Sequence, residues 1–451
     1  MSEARLQQAL ECASDTKAVI VRPGALEQVV ATLARHFPEA AALVVADENT
    51  MAAAGGRVVQ ALRRAGHLAA EPLVFPGSPR LHPEAEHVRT VEERLRQQRA
   101  TPVAVGSGVI NDLVKVAADR VKRPYLCVAT AASMDGYTAF AAAITHDGIK
   151  RIDPCAAPRA VIADVDVLAA APPEMAAAGY GDLLGKVVAG ADWLIADALG
   201  IEAIEPTAWS HAQEGLRQWV GKPAALSRGD PRAFASLIEG LLMAGLAMQA
   251  ARSSRPASGS EHLFSHLWEM EGLPRASVFP SHGFQVGLGT LAAAALAERL
   301  VLADLGQLDP VALSRAWPSW EAMSRSIRSA YPDPRLVASA QEETRSKHLT
   351  SDRLRERLER VRTCWPEIRS KLMGQLLPAG ELRLMLRQAG CPTSPDALGI
   401  TLEQLRRDYT RARQIRTRYT VLDLAVETGT FGEAADSLFA PGGFWARGEI
   451  G

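Results

Sequence analysis

At 451 residues the chain has room for two or three domains of ordinary size. Hydrophobic residues make up 47% and charged residues 22%, which excludes a largely disordered polypeptide. With 50 Lys+Arg against 51 Asp+Glu the formal charge is -1, so no global basic excess marks a nucleic-acid binder, and any bound anion must be held by a local site.

The first ~165 residues alternate short apolar runs with helical periodicity, the pattern of a parallel sheet covered by helices. Strands are expected over residues 18–21, 42–46, 72–75, 103–105, 126–129 and 160–163. Helices are expected between them, over 26–36, 51–65, 84–98 and 109–121. Most of these strands run into turn or polar residues: Arg22-Pro23-Gly24, Asp47 to Thr50, Gly106-Ser107-Gly108 and Thr130. Ligands of open α/β sheets bind at that edge. From about Glu174 onward helical periodicity dominates, over 180–198, 234–251, 283–302, 352–363 and 402–414. The dense charge of 345–362 reads as a solvated helix face. The expected architecture is an α/β domain with a parallel sheet over 1–172 and an all-helical domain over 173–451, with a ligand cleft between them.

No apolar run reaches the ~20 residues of a membrane span, and the most apolar stretch, 291–297, is short and Ala-rich. The N-terminal segment carries acidic residues and does not read as a secretory signal. Cys12, Cys127, Cys155, Cys364 and Cys391 form no Cys-x-x-Cys pair. An odd set of unpaired thiols points to a cytoplasmic protein.

Four groups of residues carry possible chemistry. Gly106-Ser107-Gly108-Val109-Ile110-Asn111-Asp112 follows a strand and opens a helix. Small residues there let backbone amides approach a pyrophosphate, helped by the helix dipole. The dinucleotide fingerprint wants a third glycine where Asn111 stands, so an empty strand–helix turn is an equal reading. Asp47 closes a strand and can take the ribose hydroxyls of an adenosine, which favours NAD, or simply cap a helix. Thr130 to Gly136 is a hydroxyl-rich loop whose Thr130 and Ser133 can bond a cofactor, and whose Asp135 can bond a substrate hydroxyl. His262 and His266, four apart, share one helix face. With His282 and Asp182 they suit a catalytic divalent ion, though three unrelated polar residues give the same spacings. Leu263 replaces the Glu of a metalloprotease H-E-x-x-H helix. Lys186, one turn after Asp182, is either a neighbour of that site or a solvated lysine.

Taken together, the order GSGVIND, TAASMDGY, GYGDLLGK, SGSEHLFSH and SHGFQVG resembles the sn-glycerol-1-phosphate dehydrogenases, in particular the bacterial branch associated with arabinose operons. These belong to the iron-dependent alcohol dehydrogenase and dehydroquinate synthase superfamily. The stretch Arg416-Thr417-Arg418-Tyr419-Thr420-Val421-Leu422-Asp423-Leu424-Ala425 and the final Gly443-Phe444-Trp445 are similar to the same branch. The resemblance implies a Rossmann-like N-terminal domain followed by a dehydroquinate synthase-like helical domain. It implies Asp182, His262 and His282 as ligands of Zn, Ni or Fe, with His266 beside the nicotinamide and substrate as a proton relay. It implies Gly106, Ser107 and Gly108 at the cofactor pyrophosphate, and Asp112, Thr130, Ser133, Asp47 and Lys150 elsewhere on NAD or NADP. Asp135 is implied at the substrate. Lys186 stands where other alcohol dehydrogenases of the superfamily place a fourth-ligand His, which favours a three-ligand site.

The implied reaction reduces dihydroxyacetone phosphate to sn-glycerol 1-phosphate by hydride transfer from NAD(P)H, with the metal as Lewis acid. The implied assembly is a homodimer acting on a small phosphorylated substrate, with no nucleic-acid partner and no membrane span. Two other activities suit the same residues: a carbocycle-forming lyase of the dehydroquinate synthase type, and a dehydrogenase of unphosphorylated polyols.

Overall fold

The structure is a computed structural model that describes residues 2–37, 41–146, 149–272 and 281–446. Its strands in chain order are β1 (Ala18–Arg22), β2 (Ala42–Asp47), β3 (Leu73–Phe75), β4 (Thr101–Gly106), β5 (Leu126–Ala129), β6 (Ala141–His146), β7 (Ile149–Pro154) and β8 (Ala160–Asp164). Six of them form one parallel sheet in the order β1-β8-β5-β4-β2-β3. The central strands β4, β5 and β8 are buried at every position, which is why they read as continuous apolar runs rather than alternating ones. Every strand expected in this sheet is present.

The helices that matter for the site are α1 (Gly108–Arg120), α2 (Pro173–Leu184), α3 (Lys186–Ala198), α4 (Pro231–Ala251), α5 (Ser260–Met270), α6 (His282–Leu302) and α7 (Leu402–Ala412). The single helix expected over 180–198 is divided at Gly185 between α2 and α3. Strands β6 and β7 pair antiparallel as a separate hairpin that the sequence reading did not anticipate. Their signal is the Asp147-Gly148 dipeptide between two β-rich runs.

Packing divides the chain into two compact units. One comprises Met1–Leu183, Pro206–Ala257 and Gln388–Cys391; the other comprises Leu184–Glu205, Ser258–Arg387 and Pro392–Gly451. A cut at 172/173 separates sheet from helices by element type, whereas packing assigns α4 to the sheet-bearing unit. The reason is specific. Thr138 Oγ donates to the Leu242 carbonyl at 2.7 Å, and Gln249 Nε2 donates to the Thr138 carbonyl at 2.6 Å. Gly245 is required between them, because a Cβ there would lie 2.2 Å from Thr138 Oγ. In the second unit α5 packs against α6 and α7. A Cβ at Gly289 would stand 2.3 Å from the Glu261 carbonyl oxygen, so α6 approaches α5 through a bare backbone.

Helices α4 and α6 are each 21 residues long and apolar enough in composition to cross a membrane. No uninterrupted apolar run reaches that length, because charged residues interrupt both helices, Arg232 and Glu239 in α4 and Glu298 and Arg299 in α6. Their most apolar windows are 83% and 78% buried inside the protein, the pattern of core helices. The charged region near residue 350 is an amphipathic helix, Ser351–Gln375, with Leu354, Leu358, Val361, Trp365, Ile368 and Leu372 buried along one stripe. All five cysteines are free thiols.

Candidate active site

Strands β2 and β4 are neighbours, yet the chain leaves them in opposite directions across the sheet, β2 toward β3 and β4 toward β5. Such a switch point opens a crevice at the strand ends. The β2–β4 register pairs Val45 with Ala104, and its continuation sets Asp47 level with Gly106. Gly106 pairs with Ala129 on the other side, and the Thr130 amide donates to the Gly106 carbonyl at 3.1 Å. Asp47, the glycine loop and Thr130 thus share one sheet edge.

The turn from β4 into α1 is built for small residues. A Cβ on Gly106 would lie 2.4 Å from Ile110 Cβ, and one on Gly108 would lie 3.0 Å from Met134 Cε. Ser107 is the N-cap of α1, but its hydroxyl makes no capping bond. The amides at this helix start therefore form a site suited to an anion. Asn111, where the fingerprint wants glycine, is fully buried and accepts from the Tyr125 hydroxyl at 3.0 Å. Asp112 accepts the Ala143 amide at 3.3 Å through Oδ2, so it ties the β6–β7 hairpin to the loop. Asp47 caps the turn that follows it. Its Oδ1 accepts the Thr50 amide at 2.8 Å, and the Asp47 amide donates to Thr50 Oγ at 3.0 Å. The side chain of Lys150 lies outside the described residues.

The loop after β5 is held from several sides. Gly179 of α2 lets the Ala132 carbonyl approach so closely that a Cβ would be 1.9 Å from its oxygen. Lys115, buried in α1, donates to the carbonyls of Gly136, Ala139 and Ala141 at 2.6, 3.0 and 3.1 Å. Ser133 bonds Tyr137, whose hydroxyl donates to the Ala131 carbonyl at 2.7 Å. The Asp135 amide donates to Asp182 Oδ2 at 3.0 Å, which orients that carboxylate.

Helix α5 carries the imidazoles. His262 is almost fully buried, and its Nδ1 lies 2.8 Å from Glu261 Oε1, which also accepts the Gly259 amide at 2.8 Å. His282, at the start of α6, turns Nδ1 to Glu269 Oε1 at 3.0 Å and to Ser265 Oγ at 3.1 Å. The other oxygen of Glu269 lies 3.3 Å from His266 Nδ1. The three rings are mutual neighbours, with centroids 5.2 to 5.8 Å apart. Burial holds His262 well below the ordinary imidazole value, with Lys186 adding to the effect. Burial pushes His266 down to about 4 against the pull of Glu269, and Arg416 and His282 add to the lowering. Both rings are therefore neutral near pH 7, the form that ligates a metal. Burial and the neighbouring Asp192 raise Glu261 to about 8.

Asp182, His262 and His282 each offer one ligand atom, and these atoms lie within 4.8 Å of one another. One carboxylate and two imidazoles fit a divalent cation, and each imidazole has a glutamate carboxyl group at Nδ1, the kind of partner that fixes the tautomer of a metal-bound histidine. With Nδ1 so engaged, Nε2 is the nitrogen that would ligate. The donor set alone does not choose among Zn, Ni and Fe. Lys186 is fully buried rather than solvated. Among the other histidines, His146 pairs with Asp153 at 2.9 Å.

Sequence reasoning missed Glu261, Glu269 and Asp192, and Lys115, which reads from its helical pattern as a solvated or salt-bridged lysine, is buried instead. Glu269 was recoverable, since 262, 266 and 269 fall on one helix face at i, i+4 and i+7. Asp192 was not recoverable: its Oδ2 accepts the Ser260 amide at 2.6 Å and its Oδ1 accepts the Val421 amide at 2.7 Å, partners 68 and 229 residues away.

Known proteins share this chain's sequence and fold. Residues 20–172 match the family model described as iron-containing alcohol dehydrogenase. The glycerol-1-phosphate dehydrogenase [NAD(P)+] of Bacillus subtilis is 30% identical over 392 residues, 86% of this chain and 86% of that protein. The chain belongs to the glycerol-1-phosphate dehydrogenase family. The like-named protein of Halalkalibacterium halodurans is 35% identical over 255 residues, an alignment spanning 56% of this chain and 64% of the relative's length. Among solved structures, glycerol dehydrogenase of Schizosaccharomyces pombe superposes with a TM-score of 0.59 at 15% identity, covering 94% of this chain and 91% of that one. That likeness confirms the family's fold, an α/β domain with a parallel sheet joined to a helical region.

Proposed function

We propose that this family member is a metal-dependent oxidoreductase that interconverts dihydroxyacetone phosphate and sn-glycerol 1-phosphate with NAD(P)H. The observation that carries the reading is the convergence of Asp182, His262 and His282 in a chain of this family. We assign residues 1–172 to nucleotide binding and 173–451 chiefly to the metal and substrate.

In this reading the ion supplies Lewis-acid polarisation of the ketone, and the nicotinamide supplies the hydride. The protein's part is to hold and orient. Asp182, His262 and His282 hold the ion, while Glu261 and Glu269 fix the two imidazoles through Nδ1. The Gly106, Ser107 and Gly108 amides receive the cofactor phosphates at the start of α1. Thr130 and Ser133 contact the cofactor from the next strand end, Asp112 braces the loop beneath it, and Asp47 takes the adenosine ribose through the oxygen not used for capping. Lys150 belongs to the same cofactor set. Asp135 bonds a substrate hydroxyl, and neutral His266 relays the proton that the product oxygen takes up. Because the charge balance of the chain is close to zero, the phosphates depend on these local groups.

The test is NADH oxidation with dihydroxyacetone phosphate after chelator treatment and after add-back of Zn, Ni or Fe. Activity should vanish with the metal and return with at least one of the three. Full activity in verified metal-free protein, or no oxidation with any metal, overturns the reading.

A further inference from the structure

We propose that Tyr409 is a positioning residue for the imidazoles: held by Trp445, it sets the spacing of the two helices that carry His262 and His282. The inference rests on the reading of those histidines as metal ligands, and it gives a role to the Gly443-Phe444-Trp445 stretch that the chemistry leaves unused.

Helix α5 has two faces in use. His262 and His266 fall on one, and Phe264 and Trp268, two residues on from each, fall about 200° round on the other. That rear face is fixed against α7. Trp268 Nε1 donates to Asp408 Oδ2 at 2.8 Å, and the Phe264 ring meets Tyr409 edge to face with centroids 5.1 Å apart. Tyr409 also reaches the other imidazole helix, for its hydroxyl donates to the Ala292 carbonyl of α6 at 2.9 Å. Phe264, Tyr409 and Ala292 are all fully buried. One side chain thus touches both helices, α5 through its ring and α6 through its oxygen. Because His262 and His282 ride on different helices, the 5.2 Å between their ring centroids is set by how those helices sit together. The close backbone approach of Gly289 to Glu261 fixes one point of that contact. A second point is needed to fix the crossing angle, and Tyr409 supplies one.

The last described turn of the chain holds Tyr409 in place. After α8 (Phe431–Phe439) the backbone folds back, with the Gly443 amide donating to the Ala440 carbonyl at 2.7 Å and the Trp445 amide to the Leu438 carbonyl at 3.0 Å. Glycine is required at 443, where a Cβ would lie 2.4 Å from the Ser437 carbonyl oxygen. The turn delivers the Trp445 indole, and its Nε1 donates to the Tyr409 hydroxyl at 3.0 Å. Trp445 is itself wedged, stacked on Phe439 and edge-on to Phe444, whose ring has the Arg383 guanidinium 3.7 Å from its centroid. The Tyr409 hydroxyl therefore accepts from Trp445 and donates to Ala292, which points its single proton at α6.

The experiment compares wild type with Tyr409→Phe, Trp445→Phe and the double variant, with Leu33→Ala in the core of the sheet as a control for lost stability alone. Zn affinity is measured by competition with a chromogenic chelator, beside urea midpoints and the NMR ring signals of isotope-labelled histidines in metal-free protein. Tyr409→Phe keeps the ring and removes the hydroxyl, so it should weaken Zn binding by about three- to tenfold, the worth of one hydrogen bond, and move the ring signals of His262 and His282. Trp445→Phe should act in the same direction by less. The double variant should be no weaker than Tyr409→Phe, because both changes act through one hydroxyl. Leu33→Ala should lower the urea midpoint and leave Zn affinity and ring signals in place. In a wild type that binds Zn, unchanged affinity in Tyr409→Phe overturns the positioning role while the metal reading stands, and so does an equal fall in Leu33→Ala. If wild type binds no Zn, ring signals that move in Tyr409→Phe and not in Leu33→Ala support the positioning and overturn only the metal site, whereas signals that stay in place overturn both.

Discussion

The glycine loop and the histidine helix solve opposite problems, and they do so with opposite materials. The loop at the end of β4 offers backbone amides behind which the core is apolar, and its side chains are absent for steric reasons. An anion can be met there by fixed dipoles without burying any charge. The helix α5 instead buries ionisable groups: Glu261, His262 and the adjoining Asp192 and Lys186 are all at most 5% exposed. A cation needs that, because its ligands must be neutral imidazoles and carboxylates held before the ion arrives. The loop should therefore respond to added bulk, and the helix to lost charge or lost orientation.

The largest effect should follow removal of a ligand. His262→Ala takes away one imidazole of the proposed three-ligand set, and with it the Lewis-acid stabilisation, worth several kcal/mol, that an ion held there would supply, so turnover should fall about a thousandfold or more. Steady-state assays with excess metal check this, and activity within about tenfold of wild type would remove α5 from the chemistry. The scaffold behind the helix comes next. Asp423 is buried and accepts from Lys347 at 2.9 Å, Arg413 at 3.2 Å and the Thr420 amide at 3.1 Å. Burial by itself raises this carboxyl, but Lys347 and Arg413 outweigh it and hold it below the ordinary value of 3.8. A depressed folded value means the contribution to stability is complete above the unfolded value and is lost as pH falls through the folded one. Asp423→Asn should cost about 3–5 kcal/mol near pH 7 by leaving two buried cations unpaired. The gap between variant and wild type in urea midpoint should hold at pH 7 and 5, then narrow below about pH 4. A gap that widens on acidification contradicts the ion-pair account.

The same contrast explains what could be read from the chain before its structure. The sheet was legible because β2, β4, β5 and β8 are apolar runs closed by turn residues. The loop was legible because close approach demands small residues, and small residues are conspicuous. The imidazoles were legible as a set only through five motifs in order, since His262 and His282 lie on different helices. Their carboxylate partners were not, because a glutamate on a helix looks the same in sequence whether it is solvated or buried against a ring. Asp192 shows the limit most clearly, for its two amide partners belong to segments that meet only after folding. The run 416–425 looked like a family signature without a role. Its Arg418, Val421 and Asp423 prove to be ties that hold the chain beside α5.

On the loop side, the comparison can be sharpened with two alanines. Gly106→Ala places a Cβ 2.4 Å from Ile110 Cβ, within the same turn, and that atom cannot move without moving α1. The cost should be about 1–3 kcal/mol of stability, with weaker dinucleotide binding. Gly108→Ala meets only the end of Met134, at 3.0 Å, and a flexible thioether can move aside, so its stability should stay within about 1 kcal/mol of wild type. Denaturant melts and fluorescence titration of NADH measure both quantities. Equal effects at the two positions would mean that the loop is not limited by bulk at Gly106.

The finest test concerns orientation alone. Glu269 presents one oxygen to His282 and the other to His266, at 3.0 and 3.3 Å. Both imidazoles can donate an Nδ1 proton to it, because a carboxylate accepts on each side. Glu269→Gln keeps the volume but has one oxygen and one amide group, so it can accept from only one ring while its N–H₂ opposes the other. Either His282 loses its tautomer and with it some grip on the ion, or His266 does and the ion is held as before. Metal affinity should fall about 10–100-fold in the first case, read by competition with a chromogenic chelator. In the second, affinity is unchanged and only the pH profile of turnover shifts, because His266 then carries its proton on the other nitrogen. The shorter contact to His282 favours the second outcome, because the single amide oxygen stays with that ring, and an unaltered affinity together with an unaltered profile would leave Glu269 no role in orienting either ring.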